Sequence, residues 1–377
     1  IMGTEAGRYL GNSSNNCIIM GQQAAQYAGN GSGSNLAYSW VHSIAIGYRA
    51  FRNATGAPDA VVAIGPNALR EHNGDGDGSS GGYIVAIGQQ ALAECEHIRH
   101  TIAIGNDAGA YWNPVKGQQH EGGAVFVGAG AGRYAGTAPS PICIGRDSGR
   151  ASNSTPMTGA HNLCIGSRAL EKVSSGSNNT AVGGNYTALF VDTGSWNVFM
   201  GSLAGYGYDT TNACQSGNYC TQIGAYTKSS GASNDYESCF GYGITGKGAN
   251  TTHIRGSAYN SNNSSSWSTT SDERIKKNIV DNNIGLDAIE KIRVRNFEYR
   301  TKNEITDFDN ADSVVVKKEG VQLGVIAQEI KDILPDVVKQ NTTGAYAVDP
   351  DNLTWYLVNA VKELSAEVKS LKAQLNS

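Results

Sequence analysis

Through residue 245 one short pattern keeps returning along the chain: apolar, any residue, apolar, Gly, two polar residues, then a small one. It reads SIAIGYRA, VVAIGPNA, IVAIGQQA, TIAIGNDA, VFVGAGA, ICIGRDS, LCIGSRA, TAVGGNY and VFMGSLA, with weaker copies at either end. The anchoring glycines are Gly3, Gly21, Gly47, Gly65, Gly88, Gly105, Gly128, Gly145, Gly166, Gly183, Gly201, Gly224 and Gly241, spaced by 17 or 18 residues with insertions that stretch some intervals to 21–26. In every copy the residue before Gly is apolar (Met2, Met20, Ile46, Ile64 and onward to Phe240), and two residues earlier β-branched side chains or Leu dominate. Period-2 alternation ended by a residue free to take positive φ predicts a very short strand in each repeat. Ala three residues past Gly (Ala50, Ala68, Ala91, Ala108, Ala131) suggests a crowded site near a shared axis.

A unit this small cannot bury its apolar stripe alone, so the repeats must stack, and so thin a rod calls for partner chains. The expectation is a mainly β, homotrimeric, repetitive β-fibre over residues 1–245. The far end of the chain has another period. Leu357, Val361, Leu364, Val368, Leu371 and Leu375 are spaced 4, 3, 4, 3, 4, the a/d seam of a coiled coil.

Local composition divides the chain where the pattern stops. The last 107 residues hold 33 charged side chains and four Gly, against 29 and 44 in the first 270. Between the two lies a Ser/Asn-rich junction, 246–270, and the charge-rich part is 271–377. The net charge of −4 offers no clustered basic surface, so nucleic acid is set aside. No apolar run is long enough to cross a bilayer, and membrane insertion is not expected. The opening IMGTEAGRYLG reads as the middle of a larger chain cut at a repeat. All seven Cys precede residue 240 without a CxxC pair and read as small buried side chains. Asp75 and Asp77 in HNGDGDGSSGG lack a closing bidentate Glu and read as a loop tip, so neither metal nor cofactor is expected.

Aromatic residues gather among Asn, Ser and Gly between 186 and 242. From these, Trp196, Tyr206, Tyr208, Tyr219 and Tyr226 are the candidate receptor contacts, because rings beside amides suit a sugar or a protein surface. Packing of the same rings between chains is the equal alternative.

The charge-rich part carries SDERIKKNI (271–279), GLDAIEKIRVRNFEYR (285–300), GVIAQEIKDILPDVV (324–338) and AYAVDPDNLTWYLVNAVKEL (345–364). This ordered set resembles the intramolecular chaperone domain of endosialidase tailspikes and bacteriophage tail fibres. The AIGxxA repeats resemble the heads of trimeric surface adhesins and phage fibre shafts. The resemblance implies a small α+β domain ending in a coiled-coil helix, which drives trimerisation and then cuts the Thr270–Ser271 bond. It also implies Ser271 as nucleophile and Lys276 as base. Such a chain would sit in the virion as a tail fibre, after synthesis in the host cytoplasm, with a host surface glycan or outer-membrane receptor as partner. The only enzymatic activity expected is self-cleavage.

A Ser hydroxyl needs a neighbour to take its proton, and Lys serves where its charged form is disfavoured. Five residues along an α-helix subtend about 140°, so the pair needs an irregular turn or donation across chains. Thr270 and Glu273 also fit a capping box, the plain reading of TSDE. Gln328 and Glu329 match the AQE motif. A polysaccharide depolymerase is the main alternative, with paired carboxylates about 5 to 9.5 Å apart, and a trimeric cell-surface adhesin is a further one.

Overall fold

The computed structural model describes residues 1–10, 15–27, 41–55, 60–73, 82–95, 98–114, 123–206, 214–256, 271–308, 311–316, 318–341 and 343–376. Asp75, Asp77, Tyr208 and Thr270 lie outside the described residues. The chain forms two compact units, Ile1–Arg255 and Gly256–Ser377.

In the first unit each repeat contributes one strand of three to six residues, and thirteen strands join in chain order into one parallel sheet. The register is strict: Ala45 pairs with Ala63, Ala63 with Ala86, and Ala86 with Ala103. The thirteenth strand, Thr252–Ile254, comes from the Ser/Asn-rich stretch after residue 245. Outside the named strands, a Met2–Met20 bridge extends the ladder toward the N-terminus.

The glycines explain the strict register. Gly47, Gly65, Gly88 and Gly105 have φ between +124° and +136°, and a Cβ on Gly47 would lie 2.7 Å from the carbonyl of Gly65 in the next coil. Neighbouring coils approach too closely there for any side chain, so one Gly is needed at each level.

Which face turns inward differs from what the alternation suggests. In the ladder up to Ser238–Phe240 the central residue of each strand is fully buried, among them Ala45, Ala63, Ala86, Ala103, Phe126, Cys143, Cys164, Ala181 and Phe199, whereas His253 of the last strand is half-buried. The larger flanking residues face outward. Ile102, Ile104, Ile144, Met200 and Ile223 are exposed in the single chain. The alanines after Gly lie in the chain's own core beside the central residues, not on an axis shared between chains. The interior is narrow, and volumes compensate across it. Where the strand centre is Ala45, Ala63 or Ala86, the residue four past Gly is Phe51, Leu69 or Leu92; where the centre is Phe126 or Phe199, that position is Gly132 or Gly205. A Cβ at Gly132 or Gly205 would overlap the Phe ring.

Buried polar side chains fill one column just before the strands. Asn179 Nδ2 donates to Asn162 Oδ1 (3.1 Å) and to the Gly194 carbonyl (2.8 Å), and Asn197 repeats this on Asn179 (3.0 Å) and Gly217 (2.8 Å). Asn197 Oδ1 then accepts from Cys220 N (2.7 Å). At the next level Glu237, fully buried, accepts from the Ser229 and Ser230 hydroxyls, from Ser230 N (3.1 Å) and from Gly248 N (2.7 Å). Such a column satisfies the backbone of successive coils from within the core.

No disulfide joins the cysteines among the described residues, and burial pushes the thiols of Cys95 and Cys239 up to about 12. They act as small apolar side chains.

The second unit is α+β. Two antiparallel strand pairs, Arg295–Phe297 with Gln322–Gly324 and Val338–Gln340 with Tyr346–Val348, accompany short helical turns. A 26-residue helix, Pro350–Leu375, follows. Its N-terminus is set by Asp349, whose side chain accepts from Asp351 N, and by Pro350 in the first turn. The buried core is small: Ala288, Ile330, Leu334, Val337 and Tyr356. No helix among the described residues is long and apolar enough to cross a membrane.

Candidate functional site

Beyond Gly256 the described part of the second unit resumes at Ser271, and the backbone turns at once. Residues Glu273–Ile275 form a single 3-10 turn, with Ile275 N donating to Asp272 O (3.3 Å) and Lys276 N to Glu273 O (3.0 Å). Asp272 is the N-cap, at the start of a turn tighter than an α-helix. The capping residue is therefore Asp272, while Thr270 falls outside the described residues.

This turn brings Lys276 back on Ser271. Lys276 Nζ donates to Ser271 Oγ at 2.6 Å, although five residues of extended chain would span roughly 16 Å. Both side chains are exposed. Exposed apolar residues flank the pair: Ile275, Ile279, Val280 and Ile284.

From there the chain runs to the C-terminal helix and is fastened to it. Asn359 Nδ2 donates to the carbonyls of Asn282 (2.7 Å) and Ile284 (3.1 Å), and Glu363 accepts from Leu286 N (2.6 Å). Gly285 is buried against that helix, where a Cβ would meet Glu363 and the Ala360 backbone. Tyr356 on the same helix donates to Asp336 (2.8 Å). The helix thus holds its own domain with Leu353, Tyr356 and Ala360. Its predicted seam, Leu357, Val361, Leu364, Val368, Leu371 and Leu375, is exposed throughout.

The AQE residues divide. Glu329 takes a two-pronged contact from Arg295 (2.6 and 3.2 Å), which holds its carboxyl below the usual range, while Gln328 is exposed. Glu329 thereby ties the Ala327–Lys331 helix to the Arg295–Phe297 strand.

The candidate receptor residues fall into separate columns. Trp196 and Tyr219 occupy the same left-handed corner, two residues before the strand, in successive coils. Tyr236 continues that column and stacks on Tyr219 at 4.8 Å with 10° between ring planes. Tyr226 sits on another corner, edge-on to Tyr242. Tyr206 is half-buried against Tyr186 and Phe190.

Sequence reasoning missed the Asn162, Asn179, Asn197 column and Glu237. Their one signal is the recurrence of Asn two residues before the strand centre, in HNLCIG, NNTAVG and WNVFMG.

No curated protein matches the chain. Residues 271–339, beginning on Ser271 itself, match the family model described as chaperone of endosialidase, so the second unit contains a chaperone domain of that type.

Proposed function

We propose that this chain is one subunit of a homotrimeric bacteriophage tail fibre, in which residues 271–377 drive trimerisation and are then released by cleavage at Thr270–Ser271. The observation that carries the assembly is the outer face of the sheet. Across the thirteen strands the outward positions, from Ile18 and Met20 to Thr252 and Ile254, hold only Ile, Val, Leu, Met, Phe, Thr and Ser. At about 4.8 Å per strand and about 10 Å in width this is a strip on the order of 600 Å². Monomeric proteins rarely expose so much continuous apolar surface, and parallel sheets are normally covered on both faces. Copies of the same chain are the natural cover, since the exposed helical seam asks for the same partners.

For the cut, Ser271 Oγ adds to the Thr270 carbonyl carbon and the C–N bond breaks. The Thr270 acyl group passes to oxygen as an ester, the proton lost by the hydroxyl goes through Lys276 to the departing nitrogen, and water opens the ester. The products are a Thr270 carboxylate and a new N-terminus at Ser271. The 2.6 Å contact supports this assignment. It takes an unprotonated amine for Lys276 to accept rather than donate, so the contact as found is the resting arrangement.

Host contact is assigned to the aromatic-rich later coils, at Trp196, Tyr219 and Tyr226, which are exposed at 57%, 49% and 44%. Tyr206, already packed, and Tyr208 complete the sequence-derived set.

The test is a chain ending at Thr270, made without the rest. It should be aggregated or monomeric, because thirteen short strands of one parallel ladder meet only through non-local contacts. Soluble, heat-resistant trimers formed by that chain unaided would remove the chaperone role.

A further inference from the structure

The turn that joins Ser271 to Lys276 has a lock of its own. The carboxylate of Asp272 works twice there. Its Oδ1 accepts from Arg274 N at 2.8 Å and caps the turn. The same carboxylate takes the Arg274 guanidinium in a fork, from Nε at 3.0 and 3.2 Å and from the terminal nitrogen at 2.6 Å. Among the described residues, every hydrogen bond of the 271–281 segment is internal to this turn. The segment is exposed apart from half-buried Asp272, so no packing from its own chain holds the shape. Without the cap, only the two backbone bonds of the turn and the Lys276–Ser271 contact itself would keep the chain from 271 to 276 folded back.

We propose that Asp272 is the positioning residue for the Ser271/Lys276 pair, with Arg274 orienting its carboxylate; this rests on the reading of that pair as the cleaving dyad. Two kinds of contact converge on Asp272, and they separate chemically. The cap needs only an oxygen acceptor, which Asn supplies. The fork needs a carboxylate, which is the stronger, geometrically defined arrangement for a guanidinium. Arg274 in turn holds the Asp272 carboxyl below the usual carboxylate range, so the lock stays charged at any pH where an amine can serve as base.

The lock predicts a graded series. A displacement of about 1 Å between reacting groups costs on the order of 100-fold in rate. Full-length chains are synthesised in a cell-free system and the appearance of the released piece is followed by intact mass against time. Asp272→Ala, which removes cap and fork, should slow cleavage by about 100-fold or more. Asp272→Asn restores the cap alone and should recover most of that loss, leaving a deficit of about 10-fold or less, as should Arg274→Ala. Assembled mass and melting temperature should be unchanged in all three, a split that a merely structural role would not give. Should Asp272→Ala fail to assemble, Arg274→Ala carries the test, since its side chain is 88% exposed and its loss leaves the fold intact. Cleavage at the unmodified rate in Asp272→Ala, or in Arg274→Ala where that variant stands in, overturns the proposal. So does an Asn variant as slow as the Ala one. Ser271→Ala is made in parallel: if it still cleaves, the dyad reading fails, whereas if it is inert and Asp272→Ala is fast, only the positioning role is lost.

Discussion

The two units solve opposite problems. The repeat unit closes a continuous core within one chain, built from strand centres such as Ala63, Ala86 and Phe126 and from the residues opposite them. What it leaves open is an outer face. Among its described residues the second unit buries only six apolar side chains and leaves others exposed on many of its elements: Ile275, Val280, Val294, Leu323, Trp355 and the whole helical seam. Under the proposed assembly, a unit with so little core of its own would gain most of its order from association, whereas the repeat unit would need association only to cover a finished surface. That difference suits the assembly role proposed for the second unit. On the proposed reading, a coiled coil built on the helical seam would bring chains together early, while the long parallel ladder, made of non-local contacts, would form late.

Glycine replacement separates the units most sharply. Gly105→Ala puts a Cβ on the carbonyl of Gly128 at φ +136°, a conformation costly for an L residue, with no flexible neighbour to give way. A loss of at least ~3 kcal/mol is expected, read as a fall in melting temperature of the fibre unit or as failure to assemble. Gly320→Ala in the second unit, at φ +75° with open space around it, should cost only about 1 kcal/mol. Equal effects at the two sites would mean that the coils of the ladder are not in the close contact described.

A smaller perturbation tests the helical seam. Leu364→Asp alters a side chain that its own chain leaves exposed, so the second unit's helix content should stay within error of the unmodified protein. The assembled mass in sedimentation should fall from three chains toward one. Retained trimers would place association elsewhere.

The smallest expected effect is electrostatic. Glu329 beside Arg295, and Asp349 beside Lys339, have their carboxyls held below the usual range. Stability from these pairs is present above the unfolded carboxylate value, about 4, and is lost as pH falls through the lower folded one. Both pairs are on the surface and their contribution is modest. The second unit should therefore melt at progressively lower temperature from about pH 4 downward. Arg295→Gln should flatten part of that slope, and an unchanged slope would remove the Glu329 pair from the account.

Much of this arrangement was legible in the sequence because a close approach every coil forces Gly and an apolar neighbour to recur. The inward face was not, since alternation marks the larger residues, Ile44 and Ile46, while the buried centre is the small Ala45. Only the narrowness of the coil reverses the usual rule. The Asn162, Asn179 and Asn197 column recurs at the regular spacing of 17 and 18 residues, but Asn just before a strand reads as a turn residue as readily as a buried one. At the candidate cleavage site, the residue types and spacing were visible, and so was the misfit to an α-helix. The 3-10 turn and its Asp272 cap were not, because Thr270 and Glu273 fit a capping box and point to a cap two residues earlier.

The central claim is that the second unit cuts itself away from the fibre at one bond, and intact-mass measurement of the full-length protein beside Ser271→Ala and Lys276→Ala tests it most directly. The unmodified chain should give pieces of 270 and 107 residues, with Ser271 as the first residue of the smaller one. Both variants should remain full-length and trimeric, and Lys277→Ala should cleave normally. Cleavage that survives Ser271→Ala, or a released piece that begins at any other residue, would contradict the account.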